Sequence, residues 1–303
     1  SFTGTIQDRT FVTEIIVDSE GMIVGSGHTG SNSNQTIAFR YNPVTNQILW
    51  EQRLSTNSQI ETGILEKKPG GNFIIYHSIQ TNPLGNKSAE ILELNRTTGQ
   101  IVPAFAKRYA QQVNQVFAGM VLHEDALYAT GYTDSVLPFN QSARRMTLTK
   151  LDANTGNVLW TRLGLTPWSQ ASHFRGIDLI VDDNSLIVLS HGIETSNTIT
   201  GPGKVIPVYL HKTTLDGEVL WAQKYLLTEV PREVVAVPDG YVIYCGNIKR
   251  HFLKTDKEGN LVLAKALNTP GYFPGGYEDW QKNQIERVGS HLYITDFSAK
   301  ANI

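Results

Sequence analysis

Cysteine is nearly missing from this sequence. The one present, Cys245, excludes an internal disulfide framework and a cysteine-rich metal cluster. It sits in the apolar stretch YVIYCGN and reads as a small buried hydrophobe. No apolar run reaches the roughly 18 residues of a membrane-spanning helix, so membrane insertion is not expected. No signal peptide is recognisable, and a mature secreted protein would look the same. Charge of one sign is also lacking: 26 Lys and Arg stand against 28 Asp and Glu, for a formal net charge of -2. A nucleic-acid partner, which needs a clustered basic surface, is therefore not expected. GxSxG, HExxH and Walker A signatures are absent, and so is long helical periodicity.

What is there is period-two alternation with many β-branched residues, written as a repeat. Strand-turn-strand units occupy residues 36–54, 90–109, 146–164, 208–225 and 251–267, and their turns are NPVTNQ, NRTTGQ, DANTGN, LDGE and DKEGN. Short Asn and Asp side chains bond to the local backbone and Gly accepts positive φ, which suits such turns. Before each unit lies another strand pair, for example FRGIDLIVDDNSLIVLSHG, whose second strand is the more hydrophobic. Each repeat therefore holds four antiparallel strands, A to D. One such sheet cannot bury both faces alone, whereas several sheets packed radially can.

The sequence thus predicts an all-β fold, a six-bladed β-propeller forming one domain over residues 1–303. The last blade takes its A and B strands from residues 285–288 and 291–296. Its missing D strand comes from residues 2–7, so the N-terminal strand closes it. A seventh blade, or a fragment of a longer array, is the competing count. Trp50, Trp160 and Trp221 share one position in strand D, with Pro103 and Leu263 in that slot of the second and fifth repeats. A repeated aromatic there predicts packing between blades. Proline there predicts an outer, edge strand.

The stretches ALYATGYTDS and MTLTKLDANTGNVLWTRLG resemble bacterial β-propeller repeats of the SBBP type, and the D strand also resembles PQQ-type propeller repeats. The third repeat carries the resemblance best. It implies a propeller from a secreted or surface-anchored bacterial protein, often one module among others, and it carries over no catalytic residues. The chain has no adjacent cysteine pair, so no quinone cofactor is expected.

Candidate chemistry collects in loops. GSGHTG at residues 25–30 follows a strand but leads to another strand rather than a helix, unlike a phosphate-binding loop. His28, His77 and His191 end the B strands out of common register, so no symmetric metal ring is implied and no metal is expected. The D-to-A loops emerge on the same face. They bring Glu61, Asn114, Trp168, His173, Arg175, Arg232, Tyr277 and Trp280 as candidate ligand-binding residues. Aromatic faces amid mixed charge suit a sugar or a peptide. The expected function is a non-catalytic binding or adhesion module, secreted or at the bacterial cell surface, that recognises glycan or protein through this face. The alternatives are a carbohydrate-active hydrolase or lyase, using carboxylates such as Glu61, Glu229, Glu278 and Asp279, and a structural spacer in a larger surface protein.

Overall fold

The computed structural model describes residues 10–29, 35–54, 64–80, 87–109, 115–136, 142–165, 174–192, 206–227, 229–246, 250–267, 285–288 and 291–294. Five four-stranded sheets follow one another along the chain. Sheet 1 is β1(Thr10–Val17), β2(Ile23–Thr29), β3(Gln35–Asn42) and β4(Gln47–Arg53). Sheet 2 is β5(Ile64–Lys67), β6(Phe73–Gln80), β7(Lys87–Leu94) and β8(Lys107–Tyr109). Sheet 3 is β9(Gln115–His123), β10(Ala126–Val136), β11(Ser142–Asp152) and β12(Val158–Leu163). Sheet 4 is β13(Arg175–Asp182), β14(Ser185–His191), β15(Ile206–Thr214) and β16(Val219–Leu227). Sheet 5 is β17(Pro231–Val237), β18(Gly240–Gly246), β19(Arg250–Thr255) and β20(Leu261–Leu267), and an antiparallel pair follows, β21(Ile285–Val288) and β22(His291–Ile294). Strands pair in chain order within each sheet, as expected for successive hairpins. Residues 2–7, assigned from sequence to the closing strand, lie outside the described residues.

Turn chemistry sets these hairpins. Asp183 and Asn184, between β13 and β14, both take left-handed φ values of 47° and 56°, as a two-residue type I′ turn requires. Between β11 and β12 the Asp152 carboxylate accepts hydrogen bonds from the Asn154 and Thr155 amides at 2.9 and 2.7 Å. Asn95 does the same between β7 and β8 for Thr97 and Thr98, both at 3.0 Å. These bonds are local to the turn, between residues two or three apart in sequence.

The middle strands are the core: every residue of β14 and of β18 is buried. Val24, Ala38 and Trp50 of sheet 1 pack with Leu65, Phe73, Ile75 and Leu92 of sheet 2. Ile187, Leu189, Val208 and Leu210 of sheet 4 pack with Val234, Tyr241, Ile243 and Leu253 of sheet 5. By packing, the chain divides into two compact units, Ser1–Tyr128 with Leu151–Leu159 and Ala129–Lys150 with Trp160–Ile303.

One joint recurs inside both units. The third-to-fourth-strand turns of sheets 2 to 5 each carry a glycine with a left-handed φ: 70° at Gly99, 69° at Gly156, 78° at Gly217 and 80° at Gly259. The fourth strand of the preceding sheet packs on that glycine. A Cβ at Gly99 would lie 2.6 Å from the Trp50 ring, one at Gly217 would lie 3.0 Å from Trp160, and one at Gly259 would lie 2.7 Å from Trp221. At Gly156 the neighbour is Lys107, at 2.8 Å. Hydrogen bonds tie the same joints: Trp50 Nε1 donates to Arg96 O at 2.8 Å, and the hydroxyls of Tyr109 and Tyr225 donate to the carbonyls of Gly156 and Gly259 at 2.5 Å. A basic residue of the same turn reaches back to the preceding sheet. Arg96 pairs with Glu20 at 2.5 Å, and Lys257 pairs with Asp182 at 2.6 Å.

Two sequence expectations change here. Trp50 is buried, but Trp160 and Trp221 are only half-buried: each covers a turn, Trp160 with the Arg162 guanidinium over its ring and Trp221 with Tyr241 beside it. Pro103 is not in an edge strand. It opens a 3-10 turn, Pro103–Phe105, with Phe105 buried. Proline has no N–H to give the ladder, so pairing pauses there and resumes at β8, which is only three residues long.

Candidate functional site

In an antiparallel sheet the first strand begins, the second ends and the third begins at one edge. At that edge of sheet 4, Arg175 at the start of β13 is the direct partner of His191 at the end of β14. Direct partners share a face. His191 is in turn opposite Val208, and Val208 opposite Tyr225. Val208 and Tyr225 belong to the core shared with sheet 5, so Arg175 and His191 lie on the face turned to that sheet. On sheet 5, Cys245 at the end of β18 is opposite Pro231, and Arg232 donates from Nε to the Gly246 carbonyl at 2.9 Å.

Burial holds the His191 imidazole neutral, pushing its pKa down to about 3, and the nearby guanidiniums of Arg175 and Arg232 add to the effect. Cys245 is buried, and its thiol is pushed well above its ordinary range, first by burial and then by the Glu229 carboxylate, with Arg232 opposing. A thiol held protonated is a poor nucleophile. Sheet 3 adds a third arginine to this edge. Arg144, near the start of β11, pairs with Asp134 of β10 at 3.2 Å. Its guanidinium lies 4.6 Å from the centroid of the Tyr132 ring, and that of Arg175 lies 5.9 Å from the same centroid. The Phe174 amide, just before β13, donates to Arg144 O at 3.1 Å and ties the two sheets together. The side chains run Asp134, Arg144, Tyr132, Arg175, His191, Arg232. Two buried atoms in this run find no hydrogen-bond partner among the described residues, Arg175 Nε and His191 Nδ1.

Two residues named from sequence are thus brought together, Arg175 and Arg232, with His191 near both. Glu61, Asn114, Trp168, His173, Tyr277 and Trp280 lie outside the described residues, as do Glu278 and Asp279. Glu229 is buried near Cys245. His77 is buried in sheet 2, where its Nε2 lies 2.6 Å from Glu90 Oε2. No group of three or more His, Cys, Asp or Glu suited to a metal ion occurs among the described residues. Sequence reasoning followed the loops into the first strands and passed over Tyr132 and Arg144. Both lie near strand ends at the same edge, and extending the strand-end rule to the second and third strands finds them.

No known family profile matches the chain, and no curated protein does. Solved structures do. The GH93 α-L-arabinofuranosidase of Fusarium graminearum, in complex with arabinobiose, superposes with a TM-score of 0.60 at 12% identity, over 85% of this chain and 80% of that one. The α-L-arabinanase of Penicillium chrysogenum, also with arabinobiose, gives 0.58 at 12% identity, over 84% and 80%. These are β-propeller proteins. The chain has a propeller repeat fold. An ulvan lyase of family PL25, bound to a GlcA-Rha3S saccharide, gives 0.52 at 10% identity, over 84% of this chain and 66% of that one. At such identities the propeller likeness extends to the fold alone. No helix among the described residues is long and apolar enough to cross a membrane.

Proposed function

We propose that this propeller is a binding module that recognises a saccharide at the edge formed by sheets 3, 4 and 5. The observation that carries the reading is the gathering of Arg144, Arg175 and Arg232 around Tyr132 and His191. Polar side chains converging where loops emerge make a recognition surface. The saccharide ligands of the three enzymes sharing the fold support a glycan over a protein. A non-catalytic role is favoured because Asp134 is engaged with Arg144 and Glu229 lies in the interior near Cys245. A secreted or cell-surface location follows from the reading, since polysaccharides are met there. We further propose that β21 and β22 begin a sixth blade of one domain, completed by residues 2–7, and that the SBBP-type likeness describes the repeats.

The second reading is a carbohydrate-active lyase or hydrolase. The carbohydrate-active enzymes that share the fold favour it, although His191, its pKa pushed down to about 3, is too weak a base to carry the proton transfer. One experiment addresses both. The chain is applied to a glycan array, and each bound glycan is incubated with it and analysed for shortened products. Retention without cleavage supports the binding module. Cleavage in proportion to protein concentration selects the enzyme, and no retention of any glycan overturns both.

A further inference from the structure

Resting on that reading, we infer that the saccharide is anionic and that Arg144, Arg175 and Arg232 hold its carboxylate or sulfate group. Three observations point the same way. The first is charge. Three guanidiniums from three consecutive sheets line one edge; Arg144 is paired with Asp134, while no carboxylate pairs with Arg175 among the described residues. A guanidinium left so is a place for an anion to bind.

The second is unmet bonding. Arg175 Nε and His191 Nδ1 are buried on directly paired residues, and neither has a hydrogen-bond partner among the described residues. Buried polar groups are nearly always satisfied, so a pair left open at an edge marks a place where satisfaction comes from outside. Arg175 as a whole is half-buried, so part of its side chain stays within reach of a ligand.

The third is geometry. A guanidinium is a planar fork of donors that matches the paired oxygens of a carboxylate or sulfate. The Tyr132 ring lies beneath two of these forks and limits their motion, so less order is lost on binding. Because Tyr132 is itself buried and covered by Arg144, the sugar ring is not stacked on it. The charged substituent, not the ring face, is what this edge reads.

The test uses the full chain and five probes measured by calorimetry: polygalacturonate, dextran sulfate, neutral arabinan, neutral dextran and polyglutamate. One or both acidic saccharides should bind at least about tenfold tighter than the neutral ones, with affinity falling as salt is raised. Which of the two binds tells carboxylate from sulfate. Arg175→Gln should weaken that binding about tenfold or more with unchanged melting. If Arg175→Gln does not fold, Arg144→Gln carries the same expectation. Arg53→Gln, a surface change in the first unit, should leave binding as it is. Neutral arabinan bound as tightly as polygalacturonate, with Arg175→Gln silent, overturns the anionic ligand and leaves the saccharide reading standing. Equal losses in Arg53→Gln and Arg175→Gln overturn the site by showing diffuse charge attraction. Polyglutamate preferred over both acidic saccharides overturns the saccharide class and makes the partner an acidic protein. No binding of any saccharide overturns this inference together with the reading beneath it.

Discussion

Arg175 and His191 face each other across the first two strands of sheet 4, a guanidinium beside an imidazole that burial keeps neutral. His211, in the third strand of the same sheet, is also fully buried. Its Nε2 lies 2.9 Å from Ser190 Oγ, and burial pushes its pKa down to about 3 as well.

Acid should therefore destabilise this protein. Between the unfolded pKa of about 6.5 and the folded value of about 3, the unfolded chain binds more protons, so stability rises with pH and falls as pH drops through that window. Each imidazole contributes a slope of about 1.4 kcal/mol per pH unit. Urea titrations at pH 8, 6 and 4.5 check this, and His211→Gln should remove one site's share of the slope. Equal stability at the three pH values would mean that both imidazoles protonate freely in the folded protein.

The indole on a turn glycine can be dissected in the same way. Gly99→Ala meets both a left-handed φ and the Trp50 ring, whereas Gly21→Ala meets a φ of 75° with nothing within 4 Å. Gly21→Ala should cost about 1 kcal/mol, from backbone strain alone. Gly99→Ala should cost about 1–3 kcal/mol more, from overpacking. That excess should vanish in a Trp50→Ala background, as a double-mutant cycle by denaturant titration would show. Equal costs for the two alanines would mean that the ring moves aside freely.

Trp50→Ala on its own should cost about 3–5 kcal/mol, the range for a large buried side chain. Trp160→Ala and Trp221→Ala should cost less, since both rings are half-buried. The ranking is read from denaturant midpoints at constant slope. Equal losses at all three positions would show that the turn contact, not core burial, carries the energy.

The proposed closing strand gives a fourth test. Removing residues 1–8 should expose the edge of the last blade and lower stability by several kcal/mol. An unchanged melting temperature would remove residues 2–7 from the fold's closure and the six-blade count with them.

Much of this was legible in the sequence, because the repeat states its own joints. Asn95, Asp152 and Asp256 open turns that end in Gly99, Gly156 and Gly259, and Trp50, Trp160 and Trp221 recur in register. Local turn chemistry and strand alternation depend on neighbours in the chain, so they are visible in one dimension. The second repeat was harder, because Pro103 falls in register with the tryptophans but cannot continue the ladder, and the strand restarts beyond Phe105. The candidate site was half visible. Arg175 and Arg232 were found because they stand at the start of first strands, just after the loops that enter them. Tyr132 and Arg144 lie within neighbouring strands of sheet 3, and only the approach of Arg175 from sheet 4 draws them into the site.

The ring-on-glycine joint also bears on how such a chain changes length. Each unit bearing both parts offers a glycine turn to the unit before it and a fourth-strand side chain to the unit after it. A tandem duplication of one unit would inherit matching joints at both ends, with no new contact to invent. The joint between sheets 2 and 3 shows how loosely the parts are specified. There Lys107 and the Tyr109 hydroxyl stand where an indole stands elsewhere, and Gly156 still receives them. Damage at one joint is then a local injury, and the other units keep their own fittings.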